Sequence, residues 1–128
     1  MDNRLTFKKP ERISIQREID QLFKQGDAFI SYPLRVVFLK QKPFSGATTA
    51  ALISVPKRKI KLAVNRNRIK RLIREAYRLN KMHLNNHLQE KDSGLLIAFL
   101  FIGNEICHWD TIEESMQKAI KTLMDKTE

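Results

Sequence analysis

Apolar residues recur along the chain in three helical stripes and three runs of strand character. From Ser14 to Lys24, the residues Ile15, Ile19, Leu22 and Phe23 return at the spacing of one helix face. Ser14 offers an N-cap oxygen there, and Gly26 a C-terminal stop. Leu34–Lys40 (LRVVFLK) and Thr48–Val55 (TTAALISV) are rich in β-branched and apolar residues and predict strands. Lys42-Pro43-Phe44-Ser45-Gly46 predicts the loop between them. Pro56 has no N–H to give a sheet ladder and closes the second strand.

The longest helix is predicted from Arg66 to about Leu84, with Asn65 or a neighbour as cap. Its stripe is Ile69, Leu72, Ile73, Ala76 and Leu79. Asn85–Gly94 reads as a polar break. Leu95–Ile102 (LLIAFLFI) is apolar throughout, the pattern of a strand covered on both faces. Thr111–Asp125 predicts a closing helix, with Thr111 and Glu114 as a capping box and Ile112, Met116, Ala119, Ile120 and Leu123 facing inward. The predicted order is α-β-β-α-β-α: one α/β two-layer sandwich on a small mixed sheet, spanning residues 1–128, with an extended arm over 1–13 around Pro10.

Composition adds little to this outline. With 128 residues and 42% hydrophobic positions, the chain is long enough for one cored domain. The single cysteine, Cys107, allows no disulfide within the chain and fits a reducing, cytoplasmic setting. No apolar run approaches the roughly 18 residues of a membrane span, and Met1-Asp2-Asn3-Arg4 opens no signal core, so neither a membrane partner nor secretion is expected.

Charge changes the picture. The formal net charge is +10. Residues 57–78 hold ten basic groups against one acid, Glu75, whereas residues 79–128 hold five basic against eight acidic groups. Cations packed this densely repel one another and mark a surface for a polyanion. Arg66, Lys70, Arg74 and Arg78 fall four apart, on one ridge opposite the apolar stripe, with Asn67, Arg68 and Arg71 beside them. Arginine forks match phosphate, and asparagine bridges phosphate or ribose hydroxyls. The pattern predicts nucleic-acid binding through a basic helix.

Nothing in the pattern predicts an independent active site. His83 and His87 stand four apart without the glutamate of a HExxH motif, Cys107 and His108 are adjacent with no third partner, and no glycine-rich phosphate loop occurs. Glu113 and Glu114 read as first-turn helix charge, and Glu75 as an intrahelical partner of Arg71 or Arg78.

The stretch from Lys59 to Ala76 (KIKLAVNRNRIKRLIREA), centred on Arg66-Asn67-Arg68, resembles the signature of the bacterial ribonuclease P protein subunit. Phe7-Lys8-Lys9-Pro10-Glu11-Arg12-Ile13 with Ile19, Leu22, Phe23 and Gly26, and Ile53-Ser54-Val55, extend the likeness over nearly the whole chain. Two positions depart from it: Lys61 stands where the family usually has glycine, and Ile19 where it often has an aromatic.

The resemblance implies a fold like the second domain of ribosomal protein S5, with a left-handed βαβ crossover against the usual hand. It implies an accessory role in an endoribonuclease whose RNA subunit, with Mg²⁺, removes the 5′ leader of precursor tRNA. It assigns Arg66, Asn67, Arg68, Lys70, Arg71 and Arg74 to contacts with the RNase P RNA, and Arg58 and Lys59 to contacts near the strand end, Lys59 being shared with the leader. It offers Phe7, Phe23 and Phe38 for the leader cleft; for Phe23 a packing role competes. The expected partners are that RNA and precursor tRNA, with one protein per ribonucleoprotein and weak self-association of the free protein left open. A ribosomal or rRNA-binding structural protein is the alternative; a DNA-binding module is disfavoured by the absence of a helix-turn-helix or zinc pattern.

Overall fold

A computed structural model describes residues 16–41 and 49–127. Phe7, the arm over 1–13, the Ser14 cap and the loop at Lys42–Gly46 lie outside the described residues. The elements are α1 (Gln16–Gln25), β1 (Asp27–Ser31), β2 (Leu34–Gln41), β3 (Thr49–Ser54), α2 (Ala63–Glu90), β4 (Gly94–Phe101) and α3 (Trp109–Lys126).

The four strands form one mixed sheet in the order β1-β2-β4-β3. β1 and β2 make an antiparallel hairpin in which Ser31 pairs with Leu34, across a turn holding the cis Tyr32–Pro33 bond. β2 and β4 pair antiparallel over eight positions, from Leu34–Phe101 to Gln41–Gly94. β3 and β4 pair parallel, joined by α2 as the crossover. The sequence order therefore gains a strand, becoming α-β-β-β-α-β-α. β1 escaped the apolar pattern because it is short, lies at a sheet edge and turns Ile30 outward; pairing with β2 sustains it.

β4 occupies an interior position and is covered on both faces, as its unbroken apolar run implies. Leu95, Ile97, Phe99 and Phe101 join Leu34, Val36 and Phe38 beneath α2 and α3, where Ile69, Ile73, Tyr77, Leu84, Leu88, Ile112, Met116 and Leu123 complete the main core. The opposite face holds a smaller cluster: Leu22 of α1 packs on Val37, Ala50, Leu96 and Ala98. The expected two layers thus gain a partial third, because Leu22 gives α1 a footing of its own. Gly26 permits this close join. A Cβ there would stand 2.5 Å from the Leu22 carbonyl and 2.7 Å from the Phe38 carbonyl.

α2 is longer than its stripe implied. It begins after Leu62, so Asn65 lies inside it and caps nothing, and it runs through Asn85 and Asn86 to Glu90. Tyr77, Lys81, Leu84 and Leu88 carry its buried side onward, whereas Leu79 is 43% exposed. Asn85 has a partner inside the fold: Thr49 Oγ1 donates to its Oδ1 at 3.2 Å and lies 2.6 Å from the Tyr77 hydroxyl. The helix closes where Asp92 takes a positive φ of 51° and the Ser93 N–H reaches the Leu88 carbonyl at 3.0 Å.

α3 starts two residues before Thr111, with His108 as N-cap and no side-chain cap bond, so the Thr111–Glu114 box does not form. Glu114 instead pairs with Lys118 at 3.1 Å. No helix among the described residues is long and apolar enough to cross a membrane.

Candidate nucleic-acid interface

The basic segment runs from the connector after β3 along the first four turns of α2. Its direction follows from the helix period: Ile69, Ile73, Ala76 and Tyr77 are buried, which turns Asn67, Arg68, Arg71 and Arg74 outward into solvent, with Lys70 half-buried beside them. Arg68, Arg71 and Arg74 make no ion pair or side-chain hydrogen bond among the described residues. They form an uncompensated cationic face.

The ridge of four is not uniform. Arg66 Nη1 turns back and donates to the carbonyls of Ile60 at 3.0 Å and Lys61 at 2.8 Å. Arg78 grips Glu75 with a two-pronged contact, one prong being Nε to Oε1 at 3.0 Å. That guanidinium holds the Glu75 carboxyl below its usual range, and Glu75 in turn raises the Arg78 value. Of the two partners open to Glu75, the structure selects Arg78. In the connector, Arg58 is exposed, and Lys59 Nζ donates to Asn104 Oδ1 at 3.3 Å, tying the connector to the loop between β4 and α3.

The face of the sheet on the α1 side carries a second feature. Cross-strand register aligns Ile30, Arg35, Leu100 and Ser54 in one row across all four strands. α1 roots further along the same face, on Val37 and Ala98, so this row is only partly covered: Arg35 is exposed and Ile30 is 64% exposed. Neither was singled out in the sequence. The available signal was Arg35 alternating with the buried Leu34 and Val36.

The aromatic expectations divide. Phe23, next to buried Leu22 on α1, is 46% exposed. Phe38 does not belong to this face. Strand alternation points it into the opposite core, where it is 4% exposed and meets Phe29 edge to face with ring centres 6.0 Å apart. Ile19 packs on the α1-side cluster and serves as a contact residue of the helix.

Among the described residues, the other reactive side chains do not gather into one cluster. Cys107 Sγ sits 3.8 Å from the Glu105 carbonyl, and burial pushes its thiol up, away from the thiolate. His83 is exposed, His87 is partly buried with Nε2 lacking a hydrogen-bond partner among the described residues, and no three His, Cys, Asp or Glu side chains converge there. Glu113 proves to be more than first-turn charge: it accepts from Asn80 on α2 at 2.7 Å and from Gln117 at 3.0 Å.

Fold and face together define a small α/β protein with a long, strongly basic helix on its surface. Comparison with known proteins makes this specific. The ribonuclease P family profile matches residues 7–124, and the chain belongs to that family. The ribonuclease P protein component of Porphyromonas gingivalis is 45% identical over 112 residues, 88% of this chain and 82% of the relative. That of Clostridioides difficile is 30% identical over 125 residues, 97% of each chain. The fold agrees with the RNase P proteins of Staphylococcus aureus (TM-score 0.71, 23% identity, 89% of this chain and 95% of that one) and Thermotoga maritima (0.66, 23%, 88% and 96%).

Proposed function

We propose that this chain is the protein subunit of a bacterial ribonuclease P, and that it assists removal of the 5′ leader from precursor tRNA. The observation that carries the reading is the uncompensated face of Arg68, Arg71 and Arg74 in a chain whose family match spans residues 7–124. That face, with Asn67, Lys70, Arg58 and Lys59, docks on the RNase P RNA. Each phosphate it neutralises releases counterions and screens RNA–RNA repulsion.

The single-stranded leader lies along the partly covered sheet face, with Phe23 and Ile30 against bases and Arg35 against phosphate. Phe7 from the arm is a further leader contact. The crossover from β3 through α2 to β4 is the left-handed one of the family. The hydrolytic chemistry belongs to the RNA and the Mg²⁺ it holds. This chain's residues bind and orient the two RNAs. One protein acts per ribonucleoprotein, in the cytoplasm.

The test is reconstitution with a bacterial RNase P RNA at low Mg²⁺, scoring cleavage at the mature 5′ end of a precursor tRNA. Strong stimulation by the protein is the expected result. Tight RNA binding without stimulation would support a structural RNA-binding protein instead.

A further inference from the structure

Arg66 is oriented unlike its neighbours on α2. Its two bonds to the Ile60 and Lys61 carbonyls reach back into the connector that leads out of the sheet. The connector has three other fastenings, one of them the bond from Lys59 to Asn104. The N–H groups of Lys59 and Ile60 both meet the Pro56 carbonyl, at 3.1 and 3.2 Å, and the Ile60 side chain is buried in the main core. The guanidinium adds a fourth, between the connector and the first turn of the helix.

The helix start supplies little else to fix this junction. Leu62 makes no side-chain cap bond, and the first turn holds no acid. A Ser or Asp cap ordinarily ties the entering chain to the helix by accepting a backbone N–H of its first turn. Here the tie is made by donation instead: Arg66 Nη1, held in the plane of the guanidinium, gives its two N–H groups to two carbonyls, an arrangement a lysine ammonium on a flexible stem holds less well. Lys61, in the place where the resembled family usually has glycine, lies within this clamp. Among the described residues only Asp92 combines a side chain with a positive φ, so Lys61 sits there with ordinary backbone.

We infer that Arg66 is a positioning residue and not an RNA ligand: it locks the connector to α2, so that Arg58 and Lys59 keep a fixed place relative to Arg68, Arg71 and Arg74. The two arginines of Arg66-Asn67-Arg68 then divide the labour, one turned inward to backbone carbonyls, the other outward to solvent and phosphate. The functional half of this rests on the RNA-binding reading above, within which it reassigns Arg66.

The experiment compares the full chain with its Arg66→Gln, Arg66→Lys and Arg68→Ala variants, each checked by thermal unfolding. Without RNA, amide hydrogen exchange is read at Lys59 and Ile60. Both Arg66 variants are expected to exchange there about tenfold faster, and Arg68→Ala to match the wild type. With a bacterial RNase P RNA, binding is measured over a salt series. Arg68→Ala should flatten the slope of log K against log salt by about 0.7–0.9. Arg66→Gln should weaken binding about five- to tenfold on a line parallel to wild type.

Unchanged exchange in both Arg66 variants, a slope flattened by Arg66→Gln, or full affinity restored by Arg66→Lys would each overturn the inference. Should Arg66→Gln fail to fold, Arg66→Lys carries the exchange comparison and its affinity decides the rest. Should even the wild type ignore the RNA, the RNA-binding reading fails, and the exchange result alone decides whether Arg66 fastens the connector.

Discussion

Asn80 on α2 donates a 2.7 Å hydrogen bond to Glu113 on α3, and the same Asn80 Nδ2 reaches the Ala76 carbonyl at 2.8 Å. The bond is partly sheltered and its acceptor is charged, so it pins two helices whose apolar faces also pack together. Glu113→Ala is expected to cost about 1–2 kcal/mol in urea denaturation, and to leave the salt slope of RNA binding unchanged, since Glu113 bonds Asn80 and Gln117 and none of the cationic side chains.

Arg68→Ala combined with Arg71→Ala should weaken binding to RNase P RNA and flatten its salt slope by about 0.7–0.9 per lost phosphate contact. Thermal stability should hold or rise slightly, because both guanidinium groups are exposed and repel their neighbours. A filter-binding series from low to high salt checks this, and an unchanged slope would remove these residues from the interface.

The two phenylalanines should separate stability from leader binding. Phe38→Ala empties a site in the main core and should cost about 3–4 kcal/mol. Phe23→Ala removes a half-exposed ring. It should cost under about 1.5 kcal/mol in stability, while weakening affinity for precursor tRNA with a leader relative to mature tRNA. Equal losses for the two tRNAs would sink the role given to Phe23.

Gly26→Ala should destabilise by about 1–3 kcal/mol in a thermal melt. The added methyl would press on two backbone carbonyls, of Leu22 and Phe38, that no rotamer change can move aside. The damage should fall on the join of α1 to the sheet.

Glu75→Gln bears on pH. Arg78 lowers the folded-state pKa of Glu75 from its ordinary 4.5, so the pair stabilises the fold above that value and the benefit is lost as pH falls through the lowered one. Both groups are solvent-exposed at this pair, so the effect on stability is small. The larger expected effect is on binding. Glutamine keeps an oxygen for Arg78 but removes the one acid among the ten basic groups of residues 57–78, so RNA affinity should rise modestly wherever Glu75 is otherwise ionised. Wild type and variant compared at neutral pH check this, and the difference between them should fade as pH drops below the carboxyl's ordinary 4.5.

What the sequence revealed depended on how strongly each segment's own pattern expressed its place. β4 is apolar on both sides because helices cover both, and its eight residues say so. α3 carries a clean stripe, and all five of its predicted inward residues are buried. The end of α2 was hidden because Asn85 and Asn86 read as loop, while the bond that makes Asn85 acceptable comes from Thr49, 36 residues earlier. β1 was hidden because an edge strand draws its stability from its neighbour. At the site, charge density located the face and gave Glu75 a partner in Arg71 or Arg78, but only the fold selects Arg78 and turns Arg66 back to the connector. The α1-side row of Ile30, Arg35, Leu100 and Ser54 exists only through strand register, which no local pattern encodes.

The strand order has a consequence for how the chain is made. β2 and β3 are consecutive in sequence but not neighbours in the sheet; β4 lies between them. Until residues 94–101 leave the ribosome, the hairpin of β1 and β2 and the unit of β3 and α2 have no strand to join them. The cationic helix is therefore synthesised before the sheet that braces it can exist. Folding must finish as one late event, governed by distant pairings rather than by local ones, and a nascent chain halted before β4 would display its charge without its architecture.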